Sequence, residues 1–455
     1  MRHIDVNEVI DNARFTPFHW KVLFWCTLII VFDGYDLVIY GVVLPILMEQ
    51  WQLSPLAAGA LGSAALFGMM FGAMTFGTLS DRWGRKRMIL LCVILFSVTT
   101  VINGFATTPW QFGILRFIAG LGIGGVMPNV VALMTEYSPK RSRSTLVAVM
   151  FSGYAIGGMM SAGLGIWIVP TFGWQVMFYL AIVPLLMLPL VIKFLPESVG
   201  FLVQSGRDDE AREILSAIDA SQSLSASDTL TLPTAKQSKA PVRELFADGR
   251  RLSTLMFWTA FFMCLLMVYA LGSWLPKLMS MAGYALSSSL LFLLVLNVGA
   301  IVGAIGGGWL ADRFHPRTVL VTFFVLAAAS LSLLGFESPT WVLYSLVAVA
   351  GATTIGSQIL LYAYVAQFYP TTIRSTGLGW ASGVGRNGAI VGPLLGGGLL
   401  ALAMPHHLNF IAFAIPGVIA AIAVFLVSRR VGSLAPRSDK AIETTEPAPL
   451  ATSGT

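Results

Sequence analysis

The strongest constraint on this chain is a succession of twelve apolar stretches, each long enough to cross a bilayer as a helix, which takes about 20 residues. They fall near 22–45, 57–79, 88–106, 110–134, 145–168 and 174–195, and again near 253–276, 287–310, 318–336, 341–365, 376–403 and 408–428. At 56% hydrophobic and 11% charged, the chain is far from the soluble norm of about 25% charged. The expected fold class is an all-α membrane protein of twelve transmembrane helices, with the lipid bilayer as its surroundings. A net charge of +6 therefore points to no nucleic-acid partner. Cys26, Cys92 and Cys264 all sit inside apolar spans without metal-ligand or disulfide spacing, so no metal or cofactor is expected.

The spans form two groups of six. The reading divides the chain into an N-terminal segment (1–21), a first six-helix bundle (22–195), a central loop (196–252), a second bundle (253–428) and a disordered tail (429–455). The central loop contains DDEAREILSAI, Asp208 to Ile218, expected as one amphipathic surface helix ahead of a Ser/Thr-rich linker. The N-terminus shows no short apolar region with a small-residue cleavage site, so no cleaved signal peptide is expected. Of the 28 Lys and Arg, Arg116 and Arg386 lie deep within spans, and of the rest only Lys277 falls on the side that alternate counting makes exterior. The positive-inside rule then puts both termini and the central loop in the cytoplasm.

The two groups are copies at a constant offset of 231 residues. Leu44-Pro45 maps to Leu275-Pro276, GTLSDRW (Gly77 to Trp83) to GWLADRF (Gly308 to Phe314), and EYSPKRSRST (Glu136 to Thr145) to QFYPTTIRST (Gln367 to Thr376). Duplicated halves place a binding site near the midplane, between bundles that rock for alternating access.

Charges inside the spans mark candidate chemistry. Asp33 and Asp36 lie in span 1, and at about 1.5 Å per residue Asp33 is roughly 18 Å from Lys21, near the midplane. A charge there costs on the order of 3 kcal/mol and must face protein or water, which makes acids at that depth candidate proton carriers. Their i, i+3 spacing puts both on one helix face, which Tyr40 extends. Arg116 in span 4 needs an anionic partner, for which Asp36 is the candidate. Arg386 in span 11 has no acid in any C-terminal span to pair with. It suits a substrate carboxylate, which a guanidinium grips bidentately. Asn387 could add a polar contact, and Tyr154, Tyr362 and Trp380 could stack on an aromatic ring.

Several stretches resemble a known family. GTLSDRWGRKRM between spans 2 and 3, with the shorter GGWLADRFHPRT in the second half, is similar to the signature loop of the major facilitator superfamily. The resemblance implies the two-bundle facilitator fold and a cytoplasmic gate, carried here by Gly77, Asp81, Arg82, Gly84, Arg85, Asp312 and Arg313. It implies that Asp81 meets a helix terminus of the other half and that Arg85 joins a charge relay. RFIAGLGIGGVMP (Arg116 to Pro128) resembles the motif in which that arginine takes part in proton coupling. Span 5, SGYAIGGMMSAGLG, lacks the proline of the superfamily's antiporters, which favours symport, whereas LPES (Leu195 to Ser198) is shared too widely to discriminate. DGYDLVIYGVVLP (Asp33 to Pro45), with MPNVVALMTEYSP and MFSGYAIGGM, closely resembles the aromatic acid:proton symporter family, most of all its benzoate transporters.

This resemblance implies uptake of an aromatic carboxylate, benzoate or a hydroxybenzoate, with protons across the bacterial cytoplasmic membrane by a monomer. Asp33, Asp36 and Arg116 would couple the proton. A sugar or drug porter is the alternative. An enzyme is not expected, because the chain has no His/Glu zinc spacing, intramembrane protease pattern or nucleotide-binding glycine loop. A channel would have no need of two rocking halves.

Overall fold

The computed structural model describes residues 3–218, 228–231, 241–369 and 373–428. Within them run twelve long helical segments: α1 (Pro17–Gln50), α2 (Pro55–Trp83), α3 (Arg85–Asn103), α4 (Pro109–Tyr137), α5 (Arg143–Phe172) and α6 (Gln175–Phe194, briefly interrupted after Tyr179), then α7 (Arg251–Met281), α8 (Leu286–Arg313), α9 (Pro316–Leu334), α10 (Thr340–Phe368), α11 (Arg374–Ala401) and α12 (His406–Leu426). Proline opens α1, α2, α4 and α9, where its missing N–H costs no helical bond. Ser54 and Thr108 cap α2 and α4 by accepting from Ala57 N and Gln111 N. Eleven of the twelve qualify as membrane spans on length and hydropathy. The other, α11, carries Arg386, Asn387 and many glycines, which dilute its apolar character.

The internal repeat extends to the helix ends. Adding 231 to the bounds of α3 gives those of α9, and adding it to α4 gives α10. Packing repeats as well. A Cβ at Gly72 would sit 2.0 Å from the Leu121 carbonyl oxygen, and one at Gly303 would sit 1.9 Å from that of Ala352. Only glycine lets α2 cross α4, and α8 cross α10, at so close an approach. The halves themselves touch through α1–α7, α2–α11 and α5–α8. Gly41 meets the Gly272 carbonyl at equivalent positions of the two copies, and Ser63 Oγ donates to Ile390 O at 2.6 Å.

These contacts gather toward the end that carries the α1–α2 connection. Toward the opposite end, which carries the α2–α3 connection, Gly77 meets Pro128 of its own half.

Two features differ from the sequence reading, and a third agrees with it. The first helix is longer than the apolar run at 22–45, because Pro17 starts it and its polar ends stay helical. The N-terminal segment is ordered over its described part: His3–Asp5 pairs in parallel with Thr229–Thr231, Asp5 caps the helix Val6–Asn12, and Asp11 binds Arg143 at 2.5 Å. Two short strands thus interrupt an otherwise helical chain. The central segment has its helix at Asp208–Ile218, which buries Ala211, Leu215 and Ile218. Most of the expected Ser/Thr-rich linker, and the whole tail expected at 429–455, lie outside the described residues.

Candidate functional site

Both span-1 acids are buried on α1, but their surroundings differ. Asp36 is fully engaged. It accepts from Thr100 Oγ1 of α3 at 2.6 Å and from Arg116 Nη1 of α4 at 2.8 Å, while Arg116 Nη2 donates to its backbone carbonyl at 3.1 Å. The pair is 2% exposed on each side. Such a pair costs desolvation to bury but far more to break, since breaking it leaves one charge alone. Asp33, one turn away, is equally buried, yet neither of its carboxylate oxygens has a hydrogen-bond partner. It interacts electrostatically with Arg386 of the other half and with Asp36.

Arg386 projects from α11 toward α7 and α4. Its Nη1 donates to the Tyr269 hydroxyl of α7 at 3.5 Å, and its Nη2 reaches Met127 Sδ of α4 at 3.6 Å. No carboxylate of the described residues makes an ion pair with it. Tyr269, Tyr362, Asp33 and Tyr154 are the groups it interacts with electrostatically. Tyr154 of the first half interacts with Tyr269 of the second across the interface. Tyr362 packs edge-on against Phe261, with ring centroids 4.9 Å apart. Close crossing of α1 and α5 brings Asp33 and Tyr154 together, since Gly34 lies directly against the Tyr154 backbone.

The structure therefore assembles Asp33, Tyr154, Tyr362 and Arg386 at one place, with Asp36 and Arg116 as a separate pair beside it. Three other candidates are not brought to Arg386. The Tyr40 hydroxyl donates to Ala58 O in a site closed against Phe112, because its position on α1 faces α2. Asn387, one residue past Arg386, is rotated away, and its amide donates to Gly383 O and Val384 O of its own helix. Trp380 stacks on Trp258 at 5.6 Å, which fixes it to α7.

Sequence reasoning missed Tyr269, Met127 and Thr100, which supply the direct contacts to Arg386 and Asp36. One signal was available for Tyr269. Its counterpart 231 residues earlier is Val38, so a polar group appears there in one copy only.

At the α2–α3 end, Arg85 pairs with Glu136 at 2.7 Å. Glu197 of the LPES stretch accepts from Lys86 N at 3.0 Å and Ser198 N at 2.9 Å, and its backbone carbonyl accepts from Tyr137 OH. Gly84, at φ 91°, passes so close to Glu197 that a Cβ would meet the carboxylate at 2.5 Å. These partners all belong to the first half. Gly77 lies beside Pro128 of α4. Arg82 is exposed, and Arg313 lies over Trp309 at 4.3 Å. The side chains of Asp81 and Asp312 lie outside the described part.

Two helical halves of bilayer-length apolar helices, related by an internal repeat, define a class of multi-pass membrane transporters. A sequence model of the Major Facilitator Superfamily matches residues 26–314 and 294–453. The chain is 52% identical over 436 residues to the benzoate transport protein of Acinetobacter baylyi, covering 94% of each chain. It is 37% identical to the gallate transporter of Pseudomonas putida, covering 92% of this chain and 94% of that one. In fold it resembles the inward-facing, unoccupied crystal structure of a bacterial homolog of the human lysosomal transporter Spinster. That likeness has a TM-score of 0.70 at 19% identity and covers 92% of this chain and 98% of the other. The chain belongs to the Major Facilitator Superfamily. It is a multi-pass membrane transporter, not an enzyme.

Proposed function

We propose that this protein is a proton-coupled symporter that imports an aromatic carboxylate, benzoate or a hydroxybenzoate, across the bacterial cytoplasmic membrane as a monomer. The observation that carries the reading is Arg386, a cation within α11 beside Tyr269, Tyr362 and Tyr154 that makes no ion pair with a carboxylate among the described residues. It accords with the relatives, which are named for benzoate and gallate.

An aromatic acid is almost fully ionised at neutral pH, since carboxyl groups titrate near pH 4. Carrying one negative charge into a cell at about −100 mV opposes roughly 2.3 kcal/mol. One accompanying proton cancels that term, and two make the potential favourable. Asp33 is the acid placed to take a proton, because it is buried within electrostatic reach of Arg386 and neither of its oxygens has a hydrogen-bond partner. The Asp36–Arg116 pair beside it would hold the helices in register and sense its charge.

Uptake of radiolabelled benzoate into membrane vesicles under an imposed pH gradient, with a competing panel, tests the reading. Benzoate and hydroxybenzoates should compete, whereas benzamide, sugars and cationic drugs should not. Competition by the neutral amide as strong as that by the acid would refute the carboxylate site and favour a porter of another substrate class.

A further inference from the structure

The guanidinium of Arg386 rests on two poor acceptors. Its contact to the Tyr269 hydroxyl, at 3.5 Å, is longer than the usual N–H···O distance of about 2.9 Å, and its other contact is to the Met127 thioether at 3.6 Å. Thioether sulfur is moreover a weak acceptor. They nevertheless occupy both Nη prongs, the positions through which a carboxylate binds an arginine bidentately. An incoming carboxylate has to displace them, and it displaces weak contacts for strong ones.

Met127 is the more telling of the two. It belongs to α4, in the half opposite Arg386, and immediately precedes Pro128, which interrupts that helix's hydrogen-bond ladder. It is half-buried, and its unbranched side chain can swing aside without moving the backbone.

We propose that Met127 is a specificity-determining residue. The substrate carboxylate takes its place on Arg386, and the freed thioether then packs against the ring attached to the carboxyl group. In an arylcarboxylate the ring begins one bond from the carboxyl carbon, so a sulfur leaving the guanidinium prong is already beside the ring edge. Sulfur–aromatic contacts are favourable at about 5 Å from the ring. A saturated ring of the same size and charge has no π system to offer. Met127 therefore separates aromatic from alicyclic carboxylates, a distinction that Arg386 by itself does not make. The inference deepens the aromatic-carboxylate reading and rests on it.

The test uses the full chain in proteoliposomes, with radiolabelled benzoate uptake measured against cyclohexanecarboxylate. Met127→Leu keeps the apolar bulk and removes the sulfur, a volume-conserving change that cores tolerate. The preference for benzoate should fall about 2- to 10-fold through a higher KM for benzoate. Cyclohexanecarboxylate should still be taken up with no matching rise in KM, which also reports that the variant is folded and inserted. Met127→Ile, also apolar and without sulfur, provides the same comparison should the leucine variant fail to insert. An unchanged preference, or an equal loss for both acids, overturns the proposal, since either means that the thioether does not read the ring. Failure of the wild-type protein to take up either acid refutes the substrate reading itself, and this inference with it.

Discussion

The two halves share a backbone plan and divide the chemistry. Superposed by the 231-residue offset, Asp33, Asp36, Thr100 and Arg116 fall on Cys264, Met267, Leu331 and Val347. In the other direction, Arg386, Tyr269 and Tyr362 fall on Ala155, Val38 and Val131. The glycine crossings, by contrast, recur at equivalent positions, including Gly157 against Val31 and Gly388 against Phe262. Duplication has kept what close packing requires and allowed the polar groups to diverge. The first half holds Asp33 and Asp36, and the second holds Arg386, which makes no ion pair with a carboxylate among the described residues. Proton and substrate would thus bind to different halves and sense each other only across the interface where Tyr154 meets Tyr269.

The largest effect that tests this division comes from the second half. Arg386→Ala should weaken aromatic-acid binding about 100-fold or more, as expected when one partner of a buried charged contact is removed. Arg386→Lys should retain weak binding, having kept the charge and lost the planar fork. Calorimetry on purified protein checks both. Binding of the alanine variant at wild-type affinity would move the anion site elsewhere and break the comparison.

The next pair of substitutions sharpens the contrast within the first half. Asp36→Asn strips Arg116 of its ionic partner and should destabilise the fold by about 3–5 kcal/mol, visible as a lower Tm in detergent. Asp33→Asn removes a carboxylate that makes no hydrogen bond, so Tm should hold or rise while pH-driven accumulation is lost. Equal thermal destabilisation by both would show that Asp33 is as structural as Asp36.

If the halves are equivalent in packing, equivalent glycines should respond alike. Gly72→Ala and Gly303→Ala each force a methyl group into a backbone carbonyl, and overpacking of this kind costs about 1–3 kcal/mol. Similar drops in Tm are expected, and a drop in only one would mean that the two crossings are not energetic copies.

The smallest effect on binding is expected at the loop after α2. Asp81→Asn should slow turnover several-fold with little change in substrate affinity, since the loop is proposed to act on exchange between the two open forms. Comparing single-turnover uptake with equilibrium binding separates the two, and a loss confined to affinity would count against a gating role.

Much of this protein was legible in the sequence because the governing signals are local. Apolar runs of bilayer length, basic residues crowded onto one side and a gapless repeat follow from the cost of placing polar groups in hydrocarbon. They gave twelve spans, and the helix ends repeat at the same offset. The lone charges Asp33, Asp36, Arg116 and Arg386 stood out for the same reason. What no local signal carries is the partner of each side chain across helices. Asp33 and Asp36 share a helix face by periodicity, yet only Asp36 reaches Thr100 and Arg116. Tyr40 and Tyr154 were equal candidates, and helix crossings sent one to Ala58 and the other to Tyr269. Met127 and Tyr269 carry no charge to betray them, and they matter only because α4 and α7 bring them to Arg386. Hydropathy settles what must be inside the membrane, and the geometry of helix crossings settles what meets there.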